Sequence, residues 1–190
     1  MLNCLQLEEL EARLLEAPGL ADSYSRRDAD FAERLVAWLT TVEAALQQNR
    51  LPAAATIAAL RTNVVAAGRG AIPAGVTVQG RPTKTKLRAA AAVSVLHSAT
   101  VLLERVIEPD QIRHREAREM MQRIVALASA KALPGFGPRD VHVPDTARWQ
   151  ALRADNDVQG GAIQLEGMVG ANDALVLLNR ATPAGRPPPA

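Results

Sequence analysis

The stretch that decides the fold is residues 83–108, which read TKTKLRAAAAVSVLHSATVLLERVIE. From Leu87 to Ile107 it contains neither Gly nor Pro, and most of its positions are apolar. A helix that is apolar on nearly every side is a buried one. Its run of alanines also allows neighbouring backbones to approach closely. The stretch therefore predicts a central helix around which a helical bundle is built.

The same stretch is not expected to cross a membrane. Its apolar run is interrupted by Arg88, His97 and several hydroxyl residues. A spanning helix needs about 20 predominantly apolar residues, and ionisable groups inside it are costly. The chain start, Met1-Leu2-Asn3-Cys4, has no basic segment ahead of an apolar one, which is unlike a secretory signal. We therefore expect a cytoplasmic protein.

The composition supports a mainly α protein with an aliphatic core. Hydrophobic residues make up 48% of the 190 residues, but aromatic residues make up only 3%. Strong helix formers such as Ala, Leu, Arg, Glu and Gln are abundant. Cys4 is the single cysteine, so an internal disulfide is excluded and a reducing compartment is favoured.

Working outward from the central stretch, apolar spacing and turn residues predict a bundle over residues 1–133. Pro18-Gly19 is predicted to end the first helix, and Pro109 to separate the last two. The polar residues 21–27 are predicted to be an exposed linker. The clearest amphipathic pattern lies in the second helix, from Phe31 to Leu46. The five predicted helices are 3–17, 29–48, 53–67, 84–108 and 110–133.

After Leu133 the character of the chain changes, and residues 134–181 are predicted to form a C-terminal appendage packed on the bundle. Residues 162–169 alternate in polarity like a strand, and 174–178 could pair with them in a short β-hairpin. A helix over 172–181 is the alternative, because short apolar runs do not distinguish the two. Residues 182–190 contain four prolines and are predicted to be a disordered tail.

A basic loop-to-helix junction is the first candidate site. Residues 61–131 carry a net charge of +7, between an acidic segment 1–60 and a nearly neutral 132–190. The sequence from Gly75 to Thr83 superficially resembles the Walker phosphate-binding loop, but Arg and Pro stand where that loop needs Lys and a hydroxyl residue. Nucleotide hydrolysis is therefore excluded there. The remaining hypothesis is a phosphate or nucleic-acid backbone site formed by Arg69, Arg81, Lys84, Lys86 and Arg88.

Histidines are the second group of candidates. His97 lies on the apolar central helix and marks a candidate ligand pocket in the bundle interior. Asp110 and His114 are four residues apart and could face one metal ion, although two ligands are a weak signal. No metal site, cofactor or catalytic residue is predicted.

Three functions remain, in order of preference. The first is a non-enzymatic helical interaction protein, an adaptor, assembly or regulatory subunit that binds a protein partner or itself as an oligomer. The second is a nucleic-acid phosphate-backbone binder that uses the junction at 69–88. The third is an enzyme or small-ligand protein with a site near His97. No membrane partner is expected.

Overall fold

The computed structural model describes residues 1–71, 83–137, 140 and 142–182. Within these residues the chain forms seven helices and no strand, which confirms the prediction of a mainly α protein. The helices are α1 (Cys4–Ser25), α2 (Phe31–Gln48), α3 (Ala53–Gly68), α4 (Lys84–Ala130), α5 (Asp145–Ala154), α6 (Gln159–Val169) and α7 (Ala171–Ala181).

The chain divides into two compact units. The N-terminal unit comprises Leu2 and Cys4–Pro109, and the C-terminal unit comprises Met1, Asn3 and Asp110–Ala190. The division lies inside α4. The domain limits expected from the sequence, 1–133 and 134–181, stay predictions, and the Pro-rich tail after Thr182 lies outside the described residues.

The N-terminal unit has one hydrophobic core, to which α1, α2, α3 and the first part of α4 contribute. The predicted stripe of α2 is buried along its whole length, from Phe31 to Leu46. Trp38 fixes α2 to α1, because its indole Nε1 donates a hydrogen bond of 2.9 Å to the carbonyl oxygen of Arg13. The predicted limits of the second and third helices agree closely with α2 and α3.

The first helix does not end at Pro18-Gly19 as predicted. It continues to Ser25, with Pro18 inside it, and so takes in most of the segment expected to be an exposed linker. A proline inside a helix costs about 3 kcal/mol, because it removes one hydrogen bond and its ring crowds the preceding turn. Leu20 is buried beyond the proline, which offsets part of the local penalty, and the buried Ser23 hydroxyl there donates a hydrogen bond to Asp28.

The predicted break at Pro109 is also wrong. α4 is one continuous helix of 47 residues that contains Pro109. Ile107 before the proline and Asp110 after it are both buried, so the helix is held by packing on each side. By length and composition α4 is the one helix in the described part of the chain that could cross a membrane, a test that the core helix of a soluble protein also passes.

In the C-terminal unit, α6 and α7 replace the predicted β-hairpin. Ala162, Leu165 and Val169 are buried at helical spacing. Ile163 would share a strand face with Leu165 and Val169, but it is 49% exposed. The helical alternative for residues 172–181 is the one found. Gly170 joins the two helices with a φ of +87°, a conformation that favours glycine.

A buried arginine organises the loop that precedes α5. The Nε and Nη2 atoms of Arg148 donate hydrogen bonds to the carbonyl oxygens of Gly135 at 2.9 Å and Asp140 at 2.8 Å. Its Nη1 contacts Asp145 at 3.1 Å and the hydroxyl of Thr182 at 3.3 Å. One side chain therefore ties together the loop, the start of α5 and the end of α7.

An ion-pair cluster fastens the end of α4 to the turn between α5 and α6. The Nζ atom of Lys131 lies 2.7 Å from the carboxylate of Asp155 and 2.6 Å from that of Asp157. The hydrogen bond from Lys131 lowers the pKa of Asp155, and the two carboxylates raise the pKa of Lys131.

Two glycines of α6 distinguish the helix from the hairpin. An added Cβ at Gly167 meets nothing within 4 Å, so Gly167→Ala is expected to stabilise a helix by about 0.5–1 kcal/mol. A Cβ at Gly161 meets the side chain of Ile124 at 3.3 Å, so Gly161→Ala is expected to gain less or to destabilise. Urea unfolding of the full chain measures both; no gain at Gly167 would argue against a helix.

Candidate functional site

A basic cleft lies where four helix ends of the N-terminal unit meet. Its volume is about 630 Å³, and it is lined by residues from the end of α1, the start of α2, the end of α3 and the start of α4. Three of the lining residues are cations, namely Arg27, Lys84 and Arg88. Because helix beginnings attract anions, the starts of α2 and α4 add to the positive potential of these side chains.

The cations are brought together by local structure. Arg27 follows the last turn of α1 with a φ of +60°, so the chain reverses there and turns towards α2. Lys84 and Arg88 are four residues apart and share one face of α4. Gly68 leaves room for the Arg88 side chain, because a Cβ at position 68 would lie only 3.2 Å from Cδ of Arg88.

Arg88 retains hydrogen-bonding capacity at the cleft. Its Nε atom is buried and has no hydrogen-bond partner among the described residues. Its Nη1 atom lies 3.6 Å from a carboxylate oxygen of Glu33, a side chain that is 72% exposed. An ion pair so open to water contributes little, and it leaves the guanidinium able to bind an anion.

The acidic residue on the cleft wall, Asp28, is already engaged. Its Oδ2 accepts a hydrogen bond of 2.8 Å from the hydroxyl of Ser23 and one of 3.3 Å from Arg26, and Arg34 lies 3.9 Å away. The Ser23 hydrogen bond, followed by the two arginines, lowers the pKa of Asp28. The carboxylate therefore stays ionised and directed at its own partners, while three cations face the cleft.

The structure selects among the residues predicted for this site. Lys84 and Arg88 line the cleft, whereas Arg69 and Lys86 are exposed and do not. Arg81 lies outside the described residues. Arg27 was missed, because the sequence placed it in an exposed linker and its approach to α4 depends on where α1 ends.

An open apolar groove lies between α1 and α4 in the same unit. Its volume is about 560 Å³. Leu14, Leu15 and Pro18 of α1 line it, opposite Val93 and Leu96 of α4. The Leu15 side chain is 79% exposed at the edge of this groove.

His97 does not mark a site in the bundle interior. It is exposed on α4 and forms one edge of the apolar groove, together with Thr100 and Glu104. The prediction of an interior position is therefore wrong. Val95 and Ala99, two residues before and two residues after His97, are the neighbours that are buried on the other side of the helix.

The basic cleft and the apolar groove adjoin. Tyr24 and Ser25, at the end of α1, line both of them. The Tyr24 ring lies 5.3 Å from the ring of Phe31, at an angle of 51° between their planes. A ligand in the groove can therefore reach the cleft without crossing another element.

Asp110 and His114, the pair considered as a weak metal candidate, are both buried in the C-terminal unit. Asp110 forms an ion pair with Arg113 one turn away, and His114 Nε2 lies 3.8 Å from a carboxylate oxygen of Asp173 on α7. Each member of this candidate pair thus has a partner of its own.

Comparison of the chain with models of protein families, with curated proteins and with solved structures gives no match. The geometry of the cleft and the groove is therefore the basis for a functional proposal.

Replacing Ser23 by Ala tests how Asp28 is held. The variant loses the largest influence on this carboxyl, so the pKa of Asp28 is expected to rise towards 3.8. Because the folded-state pKa is lowered in the wild type, its stabilisation is present above the unfolded-state pKa and is lost as pH falls through the folded value. Carboxyl NMR titration measures the shift; an unchanged pKa would mean that Arg26 and Arg34 alone hold the carboxylate.

Proposed function

We propose that this chain is a non-enzymatic helical interaction protein, an adaptor, assembly or regulatory subunit of the cytoplasm. Its apolar groove between α1 and α4 receives a helix from a protein partner or from a second copy of the chain. The observation that carries the proposal is the exposure of Leu15 beside Leu14, Pro18 and Leu96 in one open groove.

The shape of the groove suits a helix. Two helices line its walls, and a third helix can lay an apolar stripe between them, as in many helix-in-groove complexes. Burying one leucine side chain against such a partner contributes about 1.5–3 kcal/mol. The polar edge formed by His97, Thr100 and Glu104 gives the interface the polar rim that transient complexes have.

Leu15→Glu is expected to weaken partner binding by tenfold or more, about 1.4 kcal/mol, because it places a charge in the apolar groove. Leu5→Glu is the matched control, since Leu5 lies on the same helix, is 67% exposed and does not line the groove. Both changes are on the surface, so stability should shift by about 0.5 kcal/mol or less.

The measurement uses binders selected from a displayed library of amphipathic helices, with light scattering of the purified chain for self-association. Equal loss of binding in the Leu5 and Leu15 variants would exclude the groove. A monomer that selects no helix from the library would contradict the proposal as a whole.

A second candidate function is binding of a nucleic-acid phosphate backbone, which the three cations of the basic cleft favour. The logarithm of affinity for a single strand falls with the logarithm of salt concentration by about 0.7 for each phosphate neutralised. Replacing Lys84 and Arg88 by Gln should reduce that slope by about 1.4. Lys86→Gln, exposed but outside the cleft, is the control; an equal effect there would exclude the cleft as the site.

A further inference from the structure

We propose that one partner segment occupies both surfaces, as an apolar helix in the groove whose acidic end lies in the basic cleft. This inference rests on the proposed interaction function and specifies the partner. The observation behind it is the shared wall formed by Tyr24 and Ser25. The aromatic body and hydroxyl of Tyr24 suit a boundary between an apolar and a charged surface.

The order of charge along α4 supports a single occupant. Lys84 and Arg88 line the cleft at its start, Val93 and Leu96 line the groove, and Glu104 lies at the far edge of the groove. At 1.5 Å per residue, the distance from Arg88 to Glu104 along the helix is about 24 Å. A partner helix of roughly four turns spans this distance, with acidic residues at the cation end.

One acidic residue of the groove restricts where the partner can carry negative charge. Glu104 lines the groove from α4, at the end away from Lys84 and Arg88. A uniformly charged polyanion or an anionic membrane surface laid along the groove would meet this carboxylate. A segment with its negative charge confined to one end avoids Glu104 and still meets Arg27, Lys84 and Arg88.

The open form of the groove favours a helix over a lipid tail. Small apolar ligands are usually enclosed over most of their surface, whereas here Leu15 remains 79% exposed. The partner's polarity also follows from electrostatics. The C-terminal end of a helix carries a partial negative charge, so acidic residues there add to the dipole in the basic cleft.

The test uses two synthetic amphipathic peptides of about four turns with the same leucine stripe, one ending in Glu residues and the other in Gln at the same positions. Fluorescence anisotropy with the full chain measures their affinities. The acidic peptide is expected to bind about tenfold tighter, the effect of a charge-assisted contact at a partly buried site. Equal affinities for the wild-type chain would overturn the inference.

Cleft variants decide whether the preference arises there. Lys84→Gln should weaken binding of the acidic peptide more than binding of the neutral peptide, and so reduce the preference between them. Arg27→Asn is the second variant, because Asn tolerates the left-handed conformation of that residue and removes its charge. Lys86→Gln is the control outside the cleft. A preference that survives both cleft variants would overturn the inference.

The groove variant separates this inference from the function on which it rests. Leu15→Glu should weaken binding of both peptides by tenfold or more. If neither peptide binds the wild-type chain, the proposed function fails and the inference with it; if both bind equally, only the inference fails. A single-stranded oligonucleotide that binds through Lys84 and is not displaced by the acidic peptide would replace the inference with the nucleic-acid candidate.

Discussion

Close packing of small side chains on α4 is the constraint on which the N-terminal unit depends. With few aromatic residues available, its core is filled by leucines from α1 and α2 set against alanines. Ala92 and Ala99 are fully buried, as are Leu103 and Ile107 further along the helix. Protein interiors are packed as densely as organic crystals, so the neighbouring helices must approach α4 closely where its buried side chains are alanines. Both helices continue past their prolines because residues on each side are buried, as Leu20 is beyond Pro18 and as Ile107 and Asp110 are around Pro109.

The candidate site is formed where helix ends of the N-terminal unit meet. The end of α1 and the start of α4 lie together, which places Arg27 beside Lys84 and Arg88. The same pair of helices leaves an apolar groove further along, where no other element of that unit covers Leu15. One arrangement thus produces two adjoining surfaces of different chemistry. Such a pairing suits recognition, because apolar burial supplies affinity and the charged end sets partner choice and orientation.

Much of the helical content could be predicted from the sequence. The stripe from Phe31 to Leu46 repeats at helical spacing, and α2 has close to the predicted limits. The misassignments share one cause, which is that local signals were outweighed by burial. Proline and glycine are local indicators of helix ends, but they do not report whether the residues beyond them are packed. The segment 162–169 is also compatible with two periods. Its alternating polarity matches a strand, while Ala162, Leu165 and Val169 recur at helical spacing.

The basic character of the junction at 69–88 could be predicted from the sequence, because charge and helix starts are local properties. Lys84 and Arg88 could therefore be named in advance. The contribution of Arg27 could not, since it depends on where α1 ends and on the turn that brings that end to α4. His97 shows the same limit: its neighbours made it look buried, yet its rotation about the helix axis places it outside. Composition and periodicity decide that this chain is helical and which faces are apolar. Which apolar face stays uncovered, and which charges meet, is decided only by the tertiary packing, because both depend on contacts between residues distant in the chain.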